Sequence, residues 1–77
     1  MPTFKVRCSD GTEQDVQAQR VTLTPRHLRF ERRADGDWIR LLELPSTEVS
    51  EVRRRVTETD GSYRWVDARP SPAEVTR

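Results

Sequence analysis

Apolar and polar residues alternate from the start of the chain. Phe4, Val6 and Cys8 fall on one parity and Thr3, Lys5 and Arg7 on the other. A period of two is the signature of a half-buried strand. Ser9-Asp10-Gly11-Thr12 follows, and an Asp-Gly pair between alternating segments predicts a hairpin. The return strand carries Val16 and Ala18 inward, with Asp15, Gln17 and Gln19 outward. Val21 and Leu23 then continue on the opposite parity. A one-residue slip turns every side chain to the wrong face, so a bulge or corner is expected near Gln19-Arg20. Thr24-Pro25-Arg26-His27 reads as a turn, and Leu28 and Phe30 face inward on the next strand.

A second Asp-Gly hairpin lies at Ala34-Asp35-Gly36-Asp37, and Trp38 to Leu44 follows it. In strict alternation Trp38, Leu42 and Leu44 share one face, and Ile39 and Leu41 the other. Apolar residues on both faces make this the expected central strand. Pro45 ends it. In Ser46 to Val56, Val49, Val52 and Val56 fit helical spacing, but Val52, Arg54 and Val56 also alternate, and β-branched residues run on through Thr57 and Thr59. The segment admits both readings. The β-branched content favours a single turn at Ser46–Glu48 and then a strand from Val49 to about Thr59. Asp60-Gly61 makes the third hairpin, returning through Tyr63 and Trp65. The even spacing of the three Asp-Gly pairs suggests an internal hairpin repeat, although short-stranded sheets space their turns regularly in any case. The expected architecture is all-β and antiparallel: a single sheet of about six strands, curled into an open roll or a small barrel, PH-like or SH3-like, with at most one short helical turn. Residues 1–69 form the domain and 70–77 an extended polar tail.

Composition narrows this picture. Among 77 residues, 32% are hydrophobic and 35% charged. A domain this short buries only roughly 60% of the surface its unfolded chain exposes, so a thin core is expected, with Phe4, Phe30 and Trp38 packed together. Net charge is only +1, which argues against the disorder that low hydrophobicity combined with high charge produces. Lys5 is the only lysine, a bias that a GC-rich coding sequence generates. No apolar run reaches the ~18 residues of a membrane span, and the N-terminus lacks a signal-peptide core. The expected location is cytoplasmic, or inside a virion if the chain is phage-encoded.

Candidate chemistry is sparse. Cys8 and His27 are the only thiolate and imidazole ligands, whereas a structural zinc site wants four. No nucleophile motif and no glycine-rich phosphate loop occurs. No catalysis, cofactor, metal or small-molecule substrate is therefore expected. Arg53-Arg54-Arg55 with Trp38, Tyr63 and Trp65 could serve a single-stranded nucleic acid by stacking and charge. Acids at Glu48, Glu51 and Glu58 flank the run, however, and a balanced surface releases few counterions. Tyr63 and Trp65 share one parity on the last hairpin, where exposed aromatics on an edge would meet another protein or a second copy. The expected partner-binding residues are Tyr63, Trp65, Trp38, Arg53, Arg54 and Arg55.

Phe4-Lys5-Val6, Ser9-Asp10-Gly11-Thr12, Val21, Leu28-x-Phe30, Trp38 to Leu44, Pro45, Glu48-Val49 and Val52 together resemble a pattern in short uncharacterised β-rich proteins of high-GC actinobacteria and their phages. Val21 to Val56 also resembles part of a pleckstrin-homology-like sheet, without room for seven strands plus the long C-terminal helix of that fold. The resemblance covers about two thirds of the chain. It implies a β scaffold used for binding, with no activity attached. On this reading the chain is a protein-interaction module, with a structural subunit of a virion or other assembly, or a single-stranded nucleic-acid binder, as the alternatives.

Overall fold

The computed structural model describes residues 2–70, so all of the expected tail but Pro70 lies outside the described residues. Seven antiparallel strands form in the order β1 (Thr3–Cys8), β2 (Glu13–Gln17), β3 (Arg20–Leu23), β4 (His27–Ala34), β5 (Asp37–Pro45), β6 (Val49–Thr57) and β7 (Tyr63–Asp67). A single 3-10 turn, Ser46–Glu48, separates β5 from β6. The expected turn-then-strand reading of this segment holds. The fold is all-β and antiparallel, a small curled-sheet fold as expected, but it is not a single sheet. It divides into a four-stranded sheet in the order β2-β1-β6-β7 and a three-stranded sheet in the order β3-β4-β5, and no barrel closes.

The chain passes between the sheets at two corners. The first is at Ala18-Gln19, where the change of parity places it. There the Ala18 N–H donates to the Pro2 carbonyl on one sheet, and the Gln19 N–H to the Glu31 carbonyl on the other. The second is the 3-10 turn, held by Ser46 N–H to the Arg26 carbonyl and by Ser9 N–H to the Glu48 carbonyl, both at 2.8 Å. Each corner satisfies backbone groups that a change of sheet would otherwise leave unpaired.

Between the sheets lie Phe4, Val6, Ala18, Leu28, Phe30, Val49 and Val52, all buried. The Phe4 and Phe30 rings meet edge-to-face at 5.7 Å. Trp38 does not join them. It pairs with Arg33 on the outward face of β4-β5, with the Arg20 guanidinium 3.7 Å from its ring centroid. The cause is a bulge: the β4-β5 register shifts so that Phe30 faces Leu42 while Glu31 faces Arg40, leaving Leu41 as the extra residue. The bulge moves Ile39 to the inward face beside Leu42 and Leu44, and sends Trp38 outward. β5 is also an edge strand rather than the central one, because the 3-10 turn carries the chain away before a partner can pair along its free side. The central positions of the larger sheet go instead to β1 and β6, which meet at Val6 and Val52.

The first and third hairpins close with the same loop. The Gly11 N–H donates to the Cys8 carbonyl and the Cys8 N–H to the Thr12 carbonyl. Gly61, Glu58 and Ser62 repeat both bonds. This requires a left-handed residue before the return strand, and glycine supplies it at φ 91° and 90°. The middle hairpin differs, having two left-handed residues, Asp35 at 52° and Gly36 at 83°. In the matching loops one oxygen of Asp10 accepts from the Thr12 N–H and hydroxyl at 2.9 and 2.7 Å. Asp60 does the same for Ser62 at 2.9 and 2.6 Å.

These donors hold both carboxyls below the ordinary aspartate value of 3.8, through the Thr12 N–H foremost at Asp10 and the Ser62 hydroxyl foremost at Asp60. A depressed folded-state value means that the unfolded chain binds more protons in acid. The stabilisation is present above the unfolded value and is lost as pH falls through the folded one. The urea midpoint is expected to stay flat from about pH 7 to about pH 5 and to fall below about pH 4. In the Asp10→Asn/Asp60→Asn variant the loop keeps an acceptor but loses the titration, so circular dichroism should record a shallower acid decline. An equally steep decline would place the acid sensitivity elsewhere.

Candidate functional site

Strand alternation separates the expected contact residues. On the larger sheet Lys5 faces Arg53, Arg53 faces Asp67, Arg55 faces Trp65 and Thr57 faces Tyr63. Residues opposite one another in an antiparallel pair share a face. Tyr63, Trp65, Arg53 and Arg55 therefore stand together on the outer face, away from Phe4, Val6 and Val52. Arg54 pairs with Phe4 and Val66 and points the other way. It lines the open end between the sheets with Val21, Val66 and Ala68. Trp38 lies on the smaller sheet. Of the six expected residues, the structure brings four to one surface.

That surface has a defined arrangement. Tyr63 and Trp65 sit edge-to-face at 6.4 Å. The Lys5 ammonium lies 4.7 Å from the Trp65 ring, and the Arg55 guanidinium 5.3 Å from that of Tyr63. Cations over aromatic faces are held by the ring quadrupole, each worth about 0.5–1 kcal/mol where exposed. They hold the two rings in place on the sheet. Tyr63 is 59% exposed, the most of any large hydrophobic side chain described. Its strand, β7, ends the sheet, with no strand beyond it among the described residues. A shallow depression beside Trp65 is lined by Ser50, Glu51, Arg53, Asp67, Arg69 and Pro70.

Charge on this face is nearly balanced. Lys5, Arg7, Arg53 and Arg55 stand among Glu13, Asp15, Glu51 and Asp67. Arg7 pairs with Glu13 at 2.8 Å and Arg53 with Glu51 at 2.9 Å. The arginine run is thus split between two faces and partly neutralised on one of them.

Sequence reasoning missed two contributors. Lys5 reaches Trp65 only because β1 lies beside β6, a pairing of distant segments. Arg69 turns its guanidinium back to the carbonyls of Ser46, at 2.9 Å, and Val49, tying the end of β7 to the 3-10 turn and forming one wall of the depression. Its place directly after a strand was the only available signal. On the smaller sheet, Arg20 bridges Trp38 and the buried Glu31, at 2.8 Å from the latter. Among the described residues no helix is long and apolar enough to cross a membrane. Comparison with family models, curated proteins and solved structures finds no match for this chain.

Proposed function

We propose that the chain is a non-catalytic protein-interaction module whose contact face is formed by Tyr63 and Trp65 on β7 with Arg53 and Arg55 on β6, extended by Lys5. The observation that carries this reading is the exposed Tyr63 packed against half-buried Trp65 on an edge strand, each ring with a cation of the same chain over it. Aromatic and arginine side chains are the residues that dominate protein interfaces. The unpaired backbone of β7 offers main-chain hydrogen bonds in addition.

The nearly balanced charge of the face favours a protein over a nucleic acid. A phosphate backbone needs a surplus of cations to displace its counterions, and five bases, Arg69 among them, facing four acids leave a surplus of only one. An actinobacterial or phage setting rests on the sequence resemblance alone.

The test is a photo-cross-linking side chain placed at Tyr63 and, separately, at Gln14 on the far edge of the same sheet. A discrete protein adduct at position 63 that is absent from position 14 and lost on Trp65→Ala supports the reading. Adducts at neither position, or adducts only to nucleic acid, overturn it.

A further inference from the structure

Three of the four exposed large hydrophobic side chains, Trp38, Ile39 and Leu41, lie not on β7 but on β5, the free edge of the smaller sheet. From these positions we propose a second interface: β5 pairs with β5 of a second copy about a two-fold axis, joining two three-stranded sheets into one sheet of six.

The partner is identified by the strand's own complementarity. The bulge at Leu41 puts Arg40 and Glu43 on the same face although their numbers differ in parity, and within one chain they approach to 3.4 Å. An antiparallel copy with its axis between Leu41 and Leu42 sets Arg40 opposite Glu43 of the second copy, and Glu43 opposite its Arg40. In the same register Ile39 meets Leu44 on the inward face, Trp38 meets Pro45 on the outward face, and Leu41 meets Leu42 at the axis. Arg40 and Glu43, Ile39 and Leu44, and Trp38 and Pro45 then match in face, while Asp37 falls opposite Ser46 with no cation across from it. Shifting the strands by two residues sets Arg40 opposite Leu41 or Pro45 instead of an acid. Charges and bulges on edge strands ordinarily prevent pairing. Here Arg40 and Glu43 meet their opposites in this register and not in those two residues away, which is how specificity against other strands is obtained. The thin core gives a reason for the contact, since apolar surface left bare by one copy is covered by another. This interface is independent of the one proposed on β7.

Sedimentation equilibrium from about 10 μM to about 1 mM tests it. The chain should approach 18 kDa, twice its 9.0 kDa mass. Arg40→Glu and Glu43→Arg should each weaken self-association on the order of 100-fold by facing like charges across the axis. Mixed in equal amounts, the two variants should form a heterodimer, because each then supplies the charges the other lacks. Glu43 also pairs with Arg29, so Leu41→Lys, which disturbs no ion pair, is the second variant, with circular dichroism confirming its fold. A folded Leu41→Lys chain that is monomeric supports the interface. A parent chain that is monomeric at 1 mM overturns it. So does a dimer that survives both Arg40→Glu and Leu41→Lys, including one lost only on Trp65→Ala.

Discussion

Phe30→Ala is expected to leave the chain largely unfolded at room temperature. Phe30 is fully buried and contacts Phe4 edge-to-face across the gap between the sheets. Phenylalanine-to-alanine changes in a core cost about 3–5 kcal/mol, from lost transfer energy and the cavity left behind, and the ring pair adds to that. A chain of this size has a total stability of roughly 4–12 kcal/mol. Among the described residues only seven hydrophobic side chains are buried, one of them an alanine, which places it toward the lower end. At about 4–8 °C per kcal/mol, the melting temperature should fall by at least about 15 °C, if a transition survives at all. Thermal denaturation followed by circular dichroism measures this. Trp38→Ala is the control. That ring lies outside the core against Arg20, and its loss should cost about 1 kcal/mol. A loss for Trp38→Ala equal to that of Phe30→Ala would mean that the Trp is buried between the sheets and that the bulge at Leu41 is misplaced.

That pair of variants marks the boundary of what the sequence made legible. Local features were readable because their causes are local. The Asp-Gly loops announce themselves by a residue that tolerates positive φ beside one whose carboxylate caps the turn. The corner at Ala18-Gln19 appears as a change of parity, because a strand cannot shift its inward residues by one without bending. The turn at Ser46–Glu48 follows a proline and precedes a β-branched run. The bulge at Leu41 had no such mark. It falls in Leu41-Leu42, where either residue satisfies the pattern, and everything before it inherits the opposite face. Strand order was also hidden. The hydroxyl of Ser50 donates to the Arg7 carbonyl across 43 positions of sequence, and nothing local to either residue encodes that meeting. The split of the arginine run was foreseeable from alternation alone: on a strand Arg54 must oppose Arg53 and Arg55. That Lys5 would complete the face was not.

Arg69 is the clearest case of a residue whose role only the fold supplies, and Arg69→Ala is expected to have the second largest effect. Its guanidinium donates to two main-chain carbonyls, those of Ser46 and Val49, on either side of the junction between the 3-10 turn and β6. Hydrogen bonds from a charged donor contribute about 1.5–3 kcal/mol, and part of each is regained from water at a half-buried site. The combined loss is expected to be about 2 kcal/mol. Arg69→Lys should recover less than half of it, because a single ammonium cannot span both carbonyls as a planar fork does. The loss should be uneven across the molecule. The Ala68 N–H bond to the Val52 carbonyl, at 2.9 Å, lies directly beside the clamp, so hydrogen exchange should quicken there and along β7. The β4-β5 amides, on the other sheet, should slow or quicken only with global stability. Freed at its end, β7 would hold Trp65 less firmly against Lys5, and fluorescence of that ring should report greater mobility before the fold is lost. Uniform acceleration across both sheets would instead mean that Arg69 supports the whole fold, and that β7 is positioned by its pairing with β6 alone.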